Sequence, residues 1–162
     1  MLENLQNLVR EYAGDAIFNN PAIPNDKNEE VVADASGSIV NGLKSAVAGG
    51  NIDEIHNLFK NGSEAAASSQ VAQNIQGGFA QNLMQKFGLD PQKAGGIAAS
   101  LIPMVLQKFV HKTNDPNDKS FDLSGILSSL TGGAGLGSML NNLGGNEQNG
   151  GGLMGKISGM FK

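Results

Sequence analysis

The chain has 162 residues, about a quarter of them Leu, Ile, Val or Phe, which is enough to build a core and is the size of one domain. Its formal charge of -4, from 11 basic and 15 acidic residues, has the wrong sign for holding nucleic acid through its phosphates. With no Cys and two His, disulfides, thiolate metal centres and a Cys nucleophile are excluded, and imidazole chemistry has few candidates.

Leu2, Leu5, Leu8 and Val9 recur at helical spacing, so the spacing predicts a helix over 2–13, with Gly14 taking positive φ beyond its end. The same segment lacks a basic stretch followed by an unbroken apolar run, so it is not a secretory signal and the expected compartment is cytoplasmic. Asn19-Asn-Pro-Ala-Ile-Pro-Asn25 carries two prolines and reads as a turn or extended connector. Asn25 or Asp26 is expected to cap the next helix, whose stripe is Val32, Ala35, Ile39, Leu43 and Val47, ending at Gly49-Gly50. Ile52, Ile55 and Phe59 mark a short helix closed by Asn61-Gly62.

A longer helix is expected from Glu64, with Val71, Ile75, Phe79, Leu83 and Phe87 recurring every four residues. Gly77-Gly78 lies inside it, and each glycine costs about 1 kcal/mol relative to Ala. The expected compensation is close approach of a neighbouring helix, or a kink. Asp90 followed by Pro91 is an N-cap with proline in the first helical position. From Ile97 to Leu106 only Ser100 is polar, so the segment 91–112 should be the central buried helix, bent where Pro103 removes a hydrogen bond to the Ala99 carbonyl. His111 and Lys112 suit its C-terminal end. Past the polar loop 114–120, Leu123, Ile126, Leu127 and Leu130 form a last short helix. The expectation is an all-α bundle of about six helices.

Phe87-Gly-Leu-Asp-Pro-Gln-Lys-Ala94 leading into Ala98-Ala-Ser-Leu-Ile-Pro-Met-Val-Leu106, and Asp122-Leu-Ser-Gly-Ile-Leu-Ser-Ser-Leu130 followed by glycines, resemble the bacterial YidB-like family. The resemblance covers residues 64–145 and implies a helical bundle with a central helix surrounded by others. That family is of unknown function, so no catalytic residue, cofactor or substrate is carried over. The chain departs from it in its Asn-rich, proline-containing N-terminal part.

Asp115, Asn117, Asp118, Ser120 and Asp122 crowd oxygen ligands into one loop, and Asp115, Asp118 and Asp122 are the metal candidates there. The order is wrong for an EF-hand, because counting from Asp115 puts Lys119 fifth and Ser120 sixth. Asx and Ser turns that cap the following helix are the favoured reading. His56, beside Asp53 and Glu54, could serve in acid–base chemistry, but no nucleophile or second His shares its context. Ser68-Ser69 and Ser128-Ser129 lack a nucleophile elbow, and the glycines match neither a dinucleotide fingerprint nor a phosphate-binding loop. The expectation is no catalytic residue and no cofactor, with a small metal-dependent or hydrolytic enzyme as the remote alternative.

Twelve of the 23 glycines fall in the last 38 positions. Residues 1–131 therefore read as the helical bundle domain and 132–162 as a glycine-rich tail with short amphipathic segments. Leu123, Ile126, Leu127 and Leu130 are echoed thirteen residues later by Leu136, Met139, Leu140 and Leu143, a small internal repeat. A third segment places Leu153, Met154, Ile157, Met160 and Phe161 within about 120° of a helical wheel. Such a short helix, interrupted by Gly155 and Gly159, forms only against an apolar surface. The expected function is a non-enzymatic interaction or self-assembly module using these residues, with a protein partner or a second copy. Peripheral binding to the inner face of the membrane through residues 153–161 is the alternative. Neither nucleic acid nor a small-molecule substrate is expected.

Overall fold

The computed structural model describes residues 2–130, whose apolar periodicity is met by seven α-helices and, among the described residues, no strand. They are α1 (Leu2–Tyr12), α2 (Asn28–Ala48), α3 (Ile52–Lys60), α4 (Ser63–Ser68), α5 (Gln70–Phe87), α6 (Pro91–Asn114) and α7 (Leu123–Leu130). The glycine-rich tail and the interaction residues Leu153, Met154, Ile157, Met160 and Phe161 lie outside the described residues.

Helix α6 is the central element, touching α1 to α5 in turn. It buries Ile97, Ala98, Leu101, Ile102, Val105, Leu106, Phe109 and Val110. Its apolar circumference is not closed all round, because Gly96, Ala99, Ser100 and Met104 form an exposed strip, Met104 at 43%. Pro103 lies within the helix, which continues through it to Asn114. Near its C-terminal end Phe109 meets the rings of Phe59 and Phe121 edge-on, at centroid distances of 5.8 and 5.1 Å. Such T-shaped contacts set the positive ring edge against the negative face. Phe109 thereby ties α3 and the loop before α7 to the centre.

The N-terminal part is more helical than two prolines suggest. Past α1 the chain forms a single π-helical turn, Gly14–Phe18, in which Phe18 N–H reaches the Ala13 carbonyl at 3.3 Å and Asn19 N–H that of Gly14 at 2.8 Å. Gly14 does not take the positive φ expected of it; among the described residues Gly50, Gly62 and Gly88 do. The wide turn instead keeps the chain winding and buries Ile17, while the connector beyond buries Ile23. Neither Asn25 nor Asp26 caps α2: Asn25–Lys27 makes a 3-10 turn, and α2 begins at Asn28 without a side-chain cap. The α2 stripe is buried at Val32, Ala35, Ile39 and Leu43, with Val47 half-buried.

The long helix expected from Glu64 is two helices. Ser69 is extended, at φ -66° and ψ 156°, and separates α4 from α5. Its hydroxyl serves both, donating to the Ala66 carbonyl at 2.9 Å and accepting from Ala72 N–H at 3.1 Å. A serine oxygen that satisfies an otherwise orphaned N–H favours a helix start over continuation. Within α5, Gly77 and Gly78 face open space, with no heavy atom within 4 Å of an added Cβ. The close approach is made by Gly42 of α2, where an added Cβ would stand 2.2 Å from Ile75 Cγ1. Two helices can approach backbone to side chain only where one of them lacks a Cβ.

Gly88 closes α5 in the left-handed region at φ 67°, and Leu89 N–H returns to the Leu83 carbonyl at 3.3 Å. The chain past Gly88 thus folds back on the Leu83 carbonyl, near the end of the helix. Asp90 then caps α6 by accepting from Lys93 N–H at 2.9 Å, ahead of Pro91.

Candidate functional site

The loop 115–122 was the site of the metal candidates, and its carboxylates are engaged by the chain's own donors. Asp115 Oδ1 accepts from Asn117 N–H at 2.9 Å, and Asp118 Oδ1 from Ser120 N–H at 2.9 Å. Asp122 Oδ2 accepts from Gly125 N–H at 2.8 Å, capping α7. Asp118 Oδ2 also receives the Lys112 ammonium at 3.2 Å. Each Asx side chain thus satisfies a backbone N–H that the turn leaves unpaired, which is the local competition that makes these residues turn formers. The loop is held to the body from outside as well, since Asn4 Nδ2 donates to the Ser120 carbonyl at 2.8 Å.

The electrostatics follow from those contacts. The Ser120 backbone N–H, then the Ser120 hydroxyl and the Lys112 ammonium, hold the Asp118 carboxyl below its ordinary value. Asp118 in turn raises Lys112. No cluster of three or more His, Cys, Asp or Glu side chains able to hold a metal occurs among the described residues. The structure therefore does not bring Asp115, Asp118 and Asp122 into a ligand set. His56 on α3 and His111 in the last turn of α6 are both exposed.

Two larger open grooves lie among the described residues. One, of about 710 Å³, runs between the end of α1 with its π turn and the exposed strip of α6, and is lined by Tyr12, Ala16, Ile97, Ser100 and Met104 among others. Lys108 lies over the Tyr12 ring, 5.4 Å from its centroid, a cation–π contact between these helices.

The other groove follows the crossing of α2 and α5. It comprises two hollows of about 380 and 470 Å³ that share Ser38, Asn41 and Asn82. On α2 the polar residues Asp34, Ser38, Asn41 and Ser45 are spaced by three or four positions, which puts them on one face beside the apolar stripe. Across the groove α5 presents Asn74, Gly78, Gln81 and Asn82. Asn82 Nδ2 donates to Ser38 Oγ at 3.3 Å, and the Lys86 ammonium pairs with Asp34 Oδ1. In the sequence this polar face shows only as the 34, 38, 41, 45 spacing, which lies beside the stronger apolar stripe of α2 and carries no motif of its own.

No family model, curated protein or solved structure matches the chain. Among the described residues no helix is long and apolar enough to cross a membrane.

Proposed function

We propose that the protein is a non-enzymatic helical interaction module, of the YidB-like kind that residues 64–145 resemble, acting in the cytoplasm through its C-terminal amphipathic segments. One observation carries this reading. The first copy of the amphipathic repeat, Leu123, Ile126, Leu127 and Leu130, is helix α7, and its Ile126 and Leu130 are buried against the body. A pattern whose Ile126 and Leu130 cover protein in its first occurrence has the same use open to it in later occurrences. Leu136, Met139, Leu140 and Leu143 repeat it, and Leu153, Met154, Ile157, Met160 and Phe161 offer a further apolar arc.

The test is removal of residues 146–162, with mass followed by light scattering across a concentration series. The full chain is expected to gain mass with concentration and the shortened chain to stay at its lower mass. Equal mass for the two at every concentration would count against the segment as a contact element. Sedimentation with anionic vesicles, comparing the full chain with Phe161→Asp, separates the lipid alternative. Vesicle binding that Phe161→Asp abolishes, with no change of mass, would replace protein docking by membrane docking.

A further inference from the structure

We propose that Asn61 is a site of spontaneous deamidation, and that its conversion to aspartate and isoaspartate loosens helix α3 from the centre of the bundle. The inference rests on the described residues and is independent of the C-terminal segments.

Asparagine is labile when the backbone nitrogen of the next residue can reach its side-chain carbonyl carbon. The attack is easiest where that residue is glycine, whose missing Cβ neither shields the nitrogen nor restricts the backbone. Asn-Gly occurs at 41–42, 61–62 and 149–150, and the first two pairs lie among the described residues. Both of these asparagines are exposed, and neither side chain makes a hydrogen bond to another described residue. Sequence and exposure therefore do not rank them.

The backbone does. Asn41-Gly42 lies well inside α2, which runs from Asn28 to Ala48, so the Gly42 nitrogen is held in the helical ladder. Reaction there requires α2 to open locally. Asn61-Gly62 is instead the whole joint between α3, ending at Lys60, and α4, starting at Ser63. Asn61 N–H still reaches the Asn57 carbonyl at 2.9 Å, but Gly62 N–H makes no hydrogen bond to another described residue. Gly62 sits at φ 88° and ψ 175°, with no heavy atom within 4 Å of an added Cβ. The Asn61–Gly62 peptide can thus turn toward the Asn61 side chain without breaking a bond of its own nitrogen.

The chemistry needs only water. Gly62 N bonds to Asn61 Cγ, and the side-chain nitrogen takes up the amide proton and leaves as ammonia, closing a five-membered imide. Water then cleaves one of the two C–N bonds of the imide. Cleavage at Cγ gives aspartate, and cleavage at the backbone carbonyl gives isoaspartate, whose main chain runs through Cβ and Cγ. Both products have gained water and lost ammonia.

Either product falls at a place that tolerates change poorly. A carboxylate at 61 stands beside the last carbonyls of α3, the negative end of that helix. Isoaspartate also lengthens a two-residue joint by one main-chain carbon. Just ahead of it, Phe59 fixes α3 to α6: its carbonyl accepts from Asn114 Nδ2 at 2.8 Å and its ring meets Phe109.

The experiment incubates the full chain at physiological temperature, folded and in concentrated guanidinium, at neutral and mildly alkaline pH. Cleavage after Glu54 and Glu64 then isolates Asn61 from Asn41, and tandem mass spectrometry reads each position. In the folded chain Asn61 is expected to convert on the order of tenfold faster than Asn41, the more so at higher pH, where the amide loses its proton more readily. In guanidinium the two rates should converge. Gly62→Ala should slow conversion at Asn61 and leave Asn41 unchanged. The converted chain, separated by ion exchange on its added negative charge, should melt at a lower temperature than the unconverted one. The site is overturned by equal rates in the folded chain, by a gap that persists in guanidinium, or by unslowed conversion in Gly62→Ala. An unchanged melting temperature in the converted chain overturns the loosening of α3.

Discussion

Gly42 and Ile75 occupy one point of contact between α2 and α5: an added Cβ on Gly42 would stand 2.2 Å from Ile75 Cγ1 and 3.0 Å from its Cδ1. Ile75 is buried at the centre of α5 and cannot swing into solvent. Gly42→Ala should therefore force the helices apart and destabilise the fold by about 1–3 kcal/mol. In an Ile75→Ala background the obstructing atoms are gone, and the cost of Gly42→Ala should shrink markedly. The double-mutant cycle, read by urea denaturation, would show this as strong non-additivity. Additive losses would mean that the contact does not set the helix spacing.

Gly77 and Gly78 behave oppositely. Nothing lies within 4 Å of an added Cβ at either position, both are exposed, and α5 continues through them. Gly77→Ala and Gly78→Ala should each stabilise by about 0.5–1 kcal/mol, through helix propensity alone. The readout is a higher thermal midpoint, and a loss of stability in both variants would point to a packing role that the geometry lacks.

The Asp-rich loop gives a prediction about capping. Asp122→Ala removes the acceptor for Gly125 N–H and should cost about 1 kcal/mol, whereas Asp122→Asn should retain most of the stability. Because Asp115, Asp118 and Asp122 serve backbone groups, millimolar calcium should leave the thermal midpoint of the wild type unchanged. A rise with calcium would restore the loop as a metal site.

Acid sensitivity follows from three carboxylates, of which Glu29 and Asp90 are exposed and Asp118 is half-buried. Glu29 is held below its ordinary value by its hydrogen bonds with Arg10, Asp90 chiefly by Lys93 N–H, and Asp118 chiefly by Ser120 N–H. A carboxyl depressed in the folded state contributes stability above its unfolded value, near 4.5 for Glu and 3.8 for Asp, and loses it as the pH falls through the folded value. The urea midpoint should thus be flat near neutrality and fall on acidification below about pH 5. Arg10→Ala should flatten part of that fall, and added salt should do the same, since the Arg10–Glu29 pair is open to solvent. An identical acid profile in Arg10→Ala would remove Glu29 from the account.

The helical class was readable because each core stripe is long and regular, as in α6, where buried residues recur from Ala94 to Val110. The turn at Gly88-Leu89-Asp90 was readable because a glycine in the left-handed region and an Asp ahead of Pro91 each have one strong local use. What escaped was settled by competition or by distant neighbours. Ser69 stands just ahead of the stripe that begins at Val71, inside a segment with no proline or glycine to mark a boundary, and only its hydroxyl decides the break. Nothing local distinguishes Gly42 from Gly77, because the difference is whether Ile75 of another helix stands opposite. Ile17 and Ile23 escaped because two prolines nearby advertise a connector, while a π turn keeps the segment packed. The α2–α5 groove depends on the same crossing, so its polar face was visible only as spacing.

The joint at Ser69 fixes more than the ends of two helices. With a single extended residue between α4 and α5 and one hydroxyl serving both, there is no slack to absorb a change in chain length. One inserted residue at this point would add about 3.3 Å of extended chain between α4 and α5 and carry Ala66, fully buried where α4 meets α6, out of its place in the core. The same insertion at the exposed Pro116-Asn117, ahead of the anchors at Asp118, Ser120 and Phe121, would cost one surface Asx turn and leave every helix in phase. Length is thus a constrained quantity at position 69 and a free one fifty residues later.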